Sequence, residues 1–521
     1  MPQPVSELSD IQAIVRSGFS RLDEAAFLLL RVKDPAEARA WLAAIVEEPK
    51  HDKLTYRVTH AADLEDHQER ALQVAITGAG LRNLGAPEDL VRAFSREFRL
   101  GLSGDETEAE GRSRRLGDIG ENAPANWDWG GNGEAPDVLV MLYAEAGGLA
   151  SFRQAVSADL ALGFDVHAAL VAASTPNDAK VRREPFGFVD GVSQPAIDWE
   201  GRRKIGTSDD LEYGNLIAAG EFLLGYENEY GFYTERPLLD PAQDPDDLLA
   251  AAEDNPARRD LGRNGAYLVF RQLEQDVSGF WRFAAATSPE DDGVGLAEAI
   301  VGRRLATGDP LITASDAEIR GVGPDALDIR QNGFSFDSDP KGLACPFGAH
   351  IRRANPRTGD IPGGRQSLIS WALRMIGLKR GGPREDLLSS SRLHRIIRRG
   401  RAYGAVADRE AALRDGAHDS KSGLYFIALN ANLSRQFEFI QNAWIANAKF
   451  NGLTGETDPL LGNRLPSPLG HATDGFTAAQ PCGPSRRIAG LPQFITVRGG
   501  AYFFLPSLRA LRFLARQSEA G

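Results

Sequence analysis

Short, dense apolar runs recur along this chain, and each leads into a stretch whose apolar residues fall at helical spacing. AAFLLLRV (25–32) reads as a buried strand, and DPAEARAWLAAIVEE (34–48) as a helix opening on Asp34. ALQVAITGAG (71–80) repeats the plan ahead of the helical LRNLGAPEDLVRAFSREF. DVLVMLYA (137–144) leads into GGLASFRQAVSADLALG, and HAALVAAS (167–174) closes the set, with a Gly-, Asn-, Pro- and Trp-rich loop at 111–136. A second set follows. GAYLVFRQLEQD (265–276) runs into a helix carrying Trp281, and GLYFIALNANLSRQFEFIQNAW (423–444) is again strand then helix. FITVRGGAYFFLPS (494–507) reads as a terminal hairpin turning at Gly499 and Gly500. Repetition of this kind predicts a duplicated α+β architecture, helices packed on antiparallel sheets, with irregular insertions at 200–262 and 352–422.

Composition narrows the function. Hydrophobic residues at 42% and charged residues at 25% of 521 are those of a soluble globular protein. A net charge of -13 argues against a nucleic-acid partner while leaving room for a local basic pocket. The two cysteines, Cys345 and Cys482, lie in no CxxC or CxxCH pattern, which speaks against a zinc ribbon and covalently attached haem and suits a reducing compartment. The N-terminus has neither a basic-then-apolar leader nor a twin-arginine pair, and no run of about 20 apolar residues occurs, so the cytoplasm is expected, with no membrane partner.

Eight histidines are present, and no pair has HExxH spacing. A metal held by one histidine points to haem, because the porphyrin supplies four other ligands. His350 stands out in CPFGAHIRRANPR, where Arg352, Arg353 and Arg357 could pair with haem propionates or simply form a solvated surface. In PFGFVDGVSQP (185–195), Asp190 sits among apolar neighbours that favour a shifted, proton-exchanging carboxyl. Asp-Gly is equally a turn dipeptide. HRIIRRGRAYG (394–404) offers arginines that could stabilise charge on a peroxide oxygen, or form a basic helix end. GLYFIALN alternates Leu424, Phe426 and Ala428 on one strand face.

Taken in this order, the motifs resemble those of the dye-decolourising peroxidases, whose GxxDG signature is similar to Gly187-Phe188-Val189-Asp190-Gly191. The proximal-histidine segment resembles CPFGAHIRRANPR and the distal-arginine segment IIRRGRAYG, and the likeness runs nearly end to end. The resemblance implies two ferredoxin-like domains of the dimeric α+β barrel type. Residues 1–200 would carry GxxDG, and residues 201–521 would bind one non-covalent haem b. It further implies His350 as the iron ligand, Arg352 and Arg353 near the haem, and Leu424 and Phe426 on its distal face. Asp190 and Arg398 would be the catalytic pair. Arg398 is preferred to Arg395, Arg399 and Arg401 because it stands six residues before Gly404. Glu438 is the carboxylate expected on the proximal imidazole.

The implied reaction reduces hydrogen peroxide by way of an oxoferryl haem and oxidises dyes, phenols or other organic donors, with electrons relayed through Trp371, Tyr403, Tyr425 or Trp444. Homo-oligomerisation stays open, as does the role of an extra basic segment near 360–390. Two rivals share the pocket: a haem-handling or iron-releasing protein, and a non-enzymatic encapsulated or assembly protein docking through its amphipathic C-terminus.

Overall fold

The computed structural model describes residues 4–47, 54–65, 68–104, 106–132, 134–174, 182–203, 214–312, 331–357, 390–405, 409–413, 421–467 and 469–517. Trp371 and the 360–390 segment lie outside the described residues.

Nine strands form one antiparallel sheet: β1 (Glu24–Val32), β2 (Arg70–Ile76), β3 (Val138–Ala144), β4 (Phe164–Val171), β5 (Ala266–Gln275), β6 (Ile397–Arg398), β7 (Arg401–Tyr403), β8 (Gly423–Asn430) and β9 (Ile495–Leu505). Their order is β6-β8-β5-β9-β2-β3-β1-β4, with β7 also on β8. Each half therefore follows one plan, with its strands ordered second, third, first, fourth. The halves meet where Phe504 of β9 pairs with Ile76 of β2. The expected duplication, invisible as residue identity, is plain in the topology. The described strands close no barrel, although Ala173 N–H, just past β4, donates to Ala402 O of β7 (2.8 Å).

Both sheet faces are covered, which is why β1 is apolar at successive positions rather than alternate ones. Ala26, Leu28 and Leu30 pack on one side with Trp41 of helix α1 (Pro35–Ile45), Phe152 of α2 (Leu149–Leu160) and Leu511 of the C-terminal helix (Leu508–Ala515). Ala25, Phe27 and Leu29 pack on the other with Phe270, Ile427 and Phe503 of the second half. A third cluster, beside β5, joins Phe186 and Phe188 to Phe280 and Trp281 of α3 (Val277–Thr287). The GxxDG motif, assigned to the first unit by a boundary at 200, thus packs on the second. No helix among the described residues is long and apolar enough to cross a membrane.

Three local expectations change. The 494–507 segment is one strand, β9, with a bulge between Val497 and Gly499, not a hairpin. Its glycines admit neighbours instead of turning the chain: a Cβ on Gly499 would collide with the Trp129 indole, and one on Gly130 with the Gly500 carbonyl. The single helix expected over 81–98 is split into Gly78–Asn83, Glu88–Arg92 and Arg96–Leu100, because Gly85 takes φ +92° and Pro87 follows. The loop expected at 111–136 begins inside a helix, Glu106–Leu116.

Candidate active site

A cavity of about 240 Å³ opens beside β8, lined by Asp190, Arg303, His350, Arg398, Leu424 and Phe426 among others. Strand alternation aims the β8 residues. Leu424 and Phe426 face the cavity half-buried, while Tyr425 and Ile427 are buried on the opposite sheet face. Further wall comes from Phe437, Ile440 and Trp444, on two consecutive π-helical segments, Ser434–Glu438 and Ile440–Ile445. Wide π turns recur at functional sites.

His350 opens a short helix, α4 (His350–Ala354 in the numbering of helices around the site). Its Nδ1 lies 3.0 and 3.2 Å from the carboxylate oxygens of Asp458. Burial pushes the Asp458 carboxyl up, but His350, Arg353 and the Leu461 amide outweigh it and hold the group below its ordinary value. An ionised carboxylate only accepts, so Nδ1 is the donor in this bond and Nε2 is the ring nitrogen left for another partner. Asp458 is fixed in turn by the N–H groups of Leu460 (3.0 Å) and Leu461 (2.9 Å).

Asp458 therefore occupies the position expected of Glu438. Glu438 is buried next to the cavity-facing Phe437 but turned away, accepting from Arg112 (2.7 Å) and the Tyr502 hydroxyl (3.0 Å). It does not line the cavity. Arg352 and Arg353 also depart from expectation, and neither lines the cavity. At about 100° per residue, Arg352 stands on the far side of the helix from His350, whereas Arg353, about 60° from it, is drawn away from the cavity by its carbonyl partners. Arg352 donates to Asp339 Oδ2 (3.1 Å) and Cys345 O (2.8 Å), and Arg353 to Trp444 O (2.9 Å) and Glu456 O (3.0 Å). They brace the walls. Arg357 does likewise, donating to Asn332 O (2.7 Å) and Phe334 O (2.6 Å).

The GxxDG loop is both turn and site. Gly187 (φ +98°) and Gly191 (φ +79°) need the left-handed region, and Phe188 anchors the loop in the third cluster. Asp190 Oδ1 accepts its own loop's Gly191 N–H (2.7 Å) and lies 3.9 Å from Arg398 Nη1, the two side chains being 33% and 34% exposed. Of the neighbouring arginines, Arg395 also lines the cavity. Arg399 and Arg401 cross to the other side, donating to Ile14 O (2.8 Å) and Gly18 O (3.0 Å).

Three cavity residues escaped sequence reasoning. Arg303 donates to Gly308 O (2.7 Å) and Gln331 O (3.0 Å), and burial lowers it to about 9. Its Nη2 is buried with no hydrogen-bond partner among the described residues. Glu184 is raised to about 7 by burial, against the pull of Gln275 and the Phe186 and Phe188 amides. His394, stacked on Phe439, is pushed down to about 4 by burial and stays neutral near pH 7. Nothing in their local sequence distinguishes them from surface charges. As for the aromatics, Tyr403 and Tyr425 stack at 4.5 Å in the core on the far sheet face, whereas Trp444 lines the cavity.

This lining suits a haem. No group of three or more His, Cys, Asp or Glu is arranged to hold a metal ion among the described residues. A metal at His350 must take most of its ligands from elsewhere, as in a porphyrin. The walls are largely apolar, and Arg303, Arg395 and Arg398 answer an anionic ligand.

No family model matches the chain. The multifunctional dye peroxidase DyP2 of Amycolatopsis is 30% identical to it over 514 residues, spanning 94% of this chain and 92% of that protein. A fungal DyP-type peroxidase structure from Auricularia auricula-judae shares the fold, with TM-score 0.69 and 23% identity over 98% of this chain and 99% of that one. So does a dye-decolourising peroxidase in complex with 2,6-dimethoxyphenol, with TM-score 0.67 and 22% identity over 98% and 100%. The class is that of the haem peroxidases, enzymes that pair hydrogen peroxide with an organic reductant. Within it, the chain belongs to the dye-decolourising peroxidase family.

Proposed function

We propose that the chain binds one non-covalent haem b through His350 and uses Asp190 and Arg398 to reduce hydrogen peroxide, with dyes and phenols as electron donors. The observation that carries this reading is one cavity lined at once by an imidazole, a carboxylate and a guanidinium. The unit 201–521 supplies His350 and Arg398, and the unit 1–200 supplies Asp190.

The bound haem supplies the electrons that split the peroxide bond. Asp458 keeps the proton on His350 Nδ1, which makes Nε2 the stronger donor. The Asp190 carboxylate takes a proton from one peroxide oxygen and returns it to the departing one. The Arg398 guanidinium holds positive charge where negative charge develops. Leu424 and Phe426 limit water at that face. Electron donors too large for the cavity are served through Trp444, or through the Tyr403–Tyr425 stack. Support for phenols comes from the related peroxidase solved with 2,6-dimethoxyphenol. Free Cys345 and Cys482 favour a reducing compartment such as the cytoplasm.

Steady-state assay of the haem-loaded protein with a dye and hydrogen peroxide tests the reading. Peroxide-dependent bleaching is expected. Haem-loaded protein that bleaches no dye and oxidises no phenol would be a haem carrier instead.

A further inference from the structure

Among the described residues, β6 ends the sheet, and one edge of it has no neighbouring strand. Arg398 pairs with Ala428 of β8, while the bond toward β8 at this point comes from Arg399 N–H to Ile427 O (2.8 Å). The N–H and C=O of Arg398 itself therefore point outward, to the open edge.

Gln194 meets both. Its Nε2 donates to Arg398 O (3.0 Å), and its Oε1 accepts Arg398 N–H (3.0 Å). A carboxamide offers the same donor and acceptor as a peptide group, so this one side chain replaces a strand. The adjacent Ser193 carbonyl accepts from Arg398 Nη2 (3.0 Å). Gln194 is itself held: Asn332 Nδ2 donates to its carbonyl (2.7 Å), and Asn332 O accepts from Arg357 Nη1 (2.7 Å). A five-residue stretch, Asp190 to Gln194, thus carries the carboxylate and grips the arginine by main chain and side chain, across 204 residues of sequence.

We propose that Gln194 is a positioning residue for Arg398, setting how far the guanidinium stands from Asp190. The inference rests on the reading of Arg398 as the cation that acts on peroxide. A displacement of about 1 Å at such a group is enough to change a rate about 10²-fold.

In the haem-loaded enzyme, Gln194→Leu removes both bonds and is expected to slow the reaction with hydrogen peroxide about 10²-fold, with haem content and the resting absorption band unchanged. Gln194→Glu keeps the acceptor and loses the donor. It is expected to lose less, and it replaces the Leu variant if that folds poorly. The decisive readout is a double-mutant cycle with Arg398→Ala, since a residue acting through Arg398 has no further effect once the guanidinium is gone. Losses that multiply across the pair, or a Gln194 variant as fast as the parent, overturn the positioning role and leave the assignment of Arg398 standing. An Arg398→Ala enzyme as fast as the parent overturns both.

Discussion

Around His350, hydrogen bonds run several layers deep: imidazole to Asp458, Asp458 to the Leu460 and Leu461 amides, and Arg353 from the same helix to four backbone carbonyls of 444–456. Asp190 and Arg398 are held differently. They face each other across 3.9 Å with a third of each side chain exposed, and each side chain has one hydrogen bond to the 190–194 backbone: Asp190 Oδ1 accepts from Gly191 N–H and Arg398 Nη2 donates to Ser193 O. The difference fits the two tasks proposed for them. A ligand to a metal gains from over-determination, whereas a proton carrier needs an accessible carboxyl that can change partners.

Four substitutions probe that contrast, beginning with the strongest. His350→Ala is expected to abolish haem retention, read as loss of the Soret band after desalting. A variant that keeps its band would place the iron ligand elsewhere. Asp190→Asn is expected to retain haem and to react with peroxide about 10²–10⁴-fold more slowly, measured by stopped flow. Parental rates across acidic pH would remove the proton-carrier role. Asp458→Asn keeps the shape but removes the charge behind the imidazole, and a loss of about 10–100-fold in haem affinity or activity is expected. The matching Glu438→Gln variant should leave both near parental, and an equal loss in the two would return Glu438 to consideration.

The last concerns stability. Glu184, half-buried in the cavity wall, is raised by burial to about 7 from an ordinary 4.5. Between those values the folded chain holds a proton that the unfolded chain has released. Stability therefore falls as pH rises through this window, by at most about 1.4 kcal/mol per pH unit from this group. Glu184→Gln should flatten that part of the stability profile in denaturant titrations; an unchanged slope would assign the titration to other groups.

What could be read in the sequence came from periodicity for the fold and from the family resemblance for the site. Buried strands such as 25–32 announce themselves because both faces of the sheet are covered, while alternation puts Leu424 and Phe426 on one strand face and only the resemblance implied that this face meets the haem. The 499–500 glycines misled because a turn and a close approach ask for the same residue, and only tertiary contact with Trp129 separates them. Arg352 and Arg353 were expected at the cofactor because charge was read without partners; Asp339 holds the first and the Trp444 and Glu456 carbonyls hold the second in the walls. Asp458 was invisible for a related reason. An aspartate before Pro459 looks like a turn former, and indeed it caps two amides, while its other role depends on a histidine 108 residues away.

The central claim, an iron porphyrin gripped by His350 with its other face turned to Asp190 and Arg398, is tested most directly by the absorption spectrum of the purified protein offered haemin and then one equivalent of hydrogen peroxide. A Soret band that appears with haemin and shifts promptly on peroxide is the expected result. A preparation that stays colourless, or a band indifferent to peroxide, would contradict it.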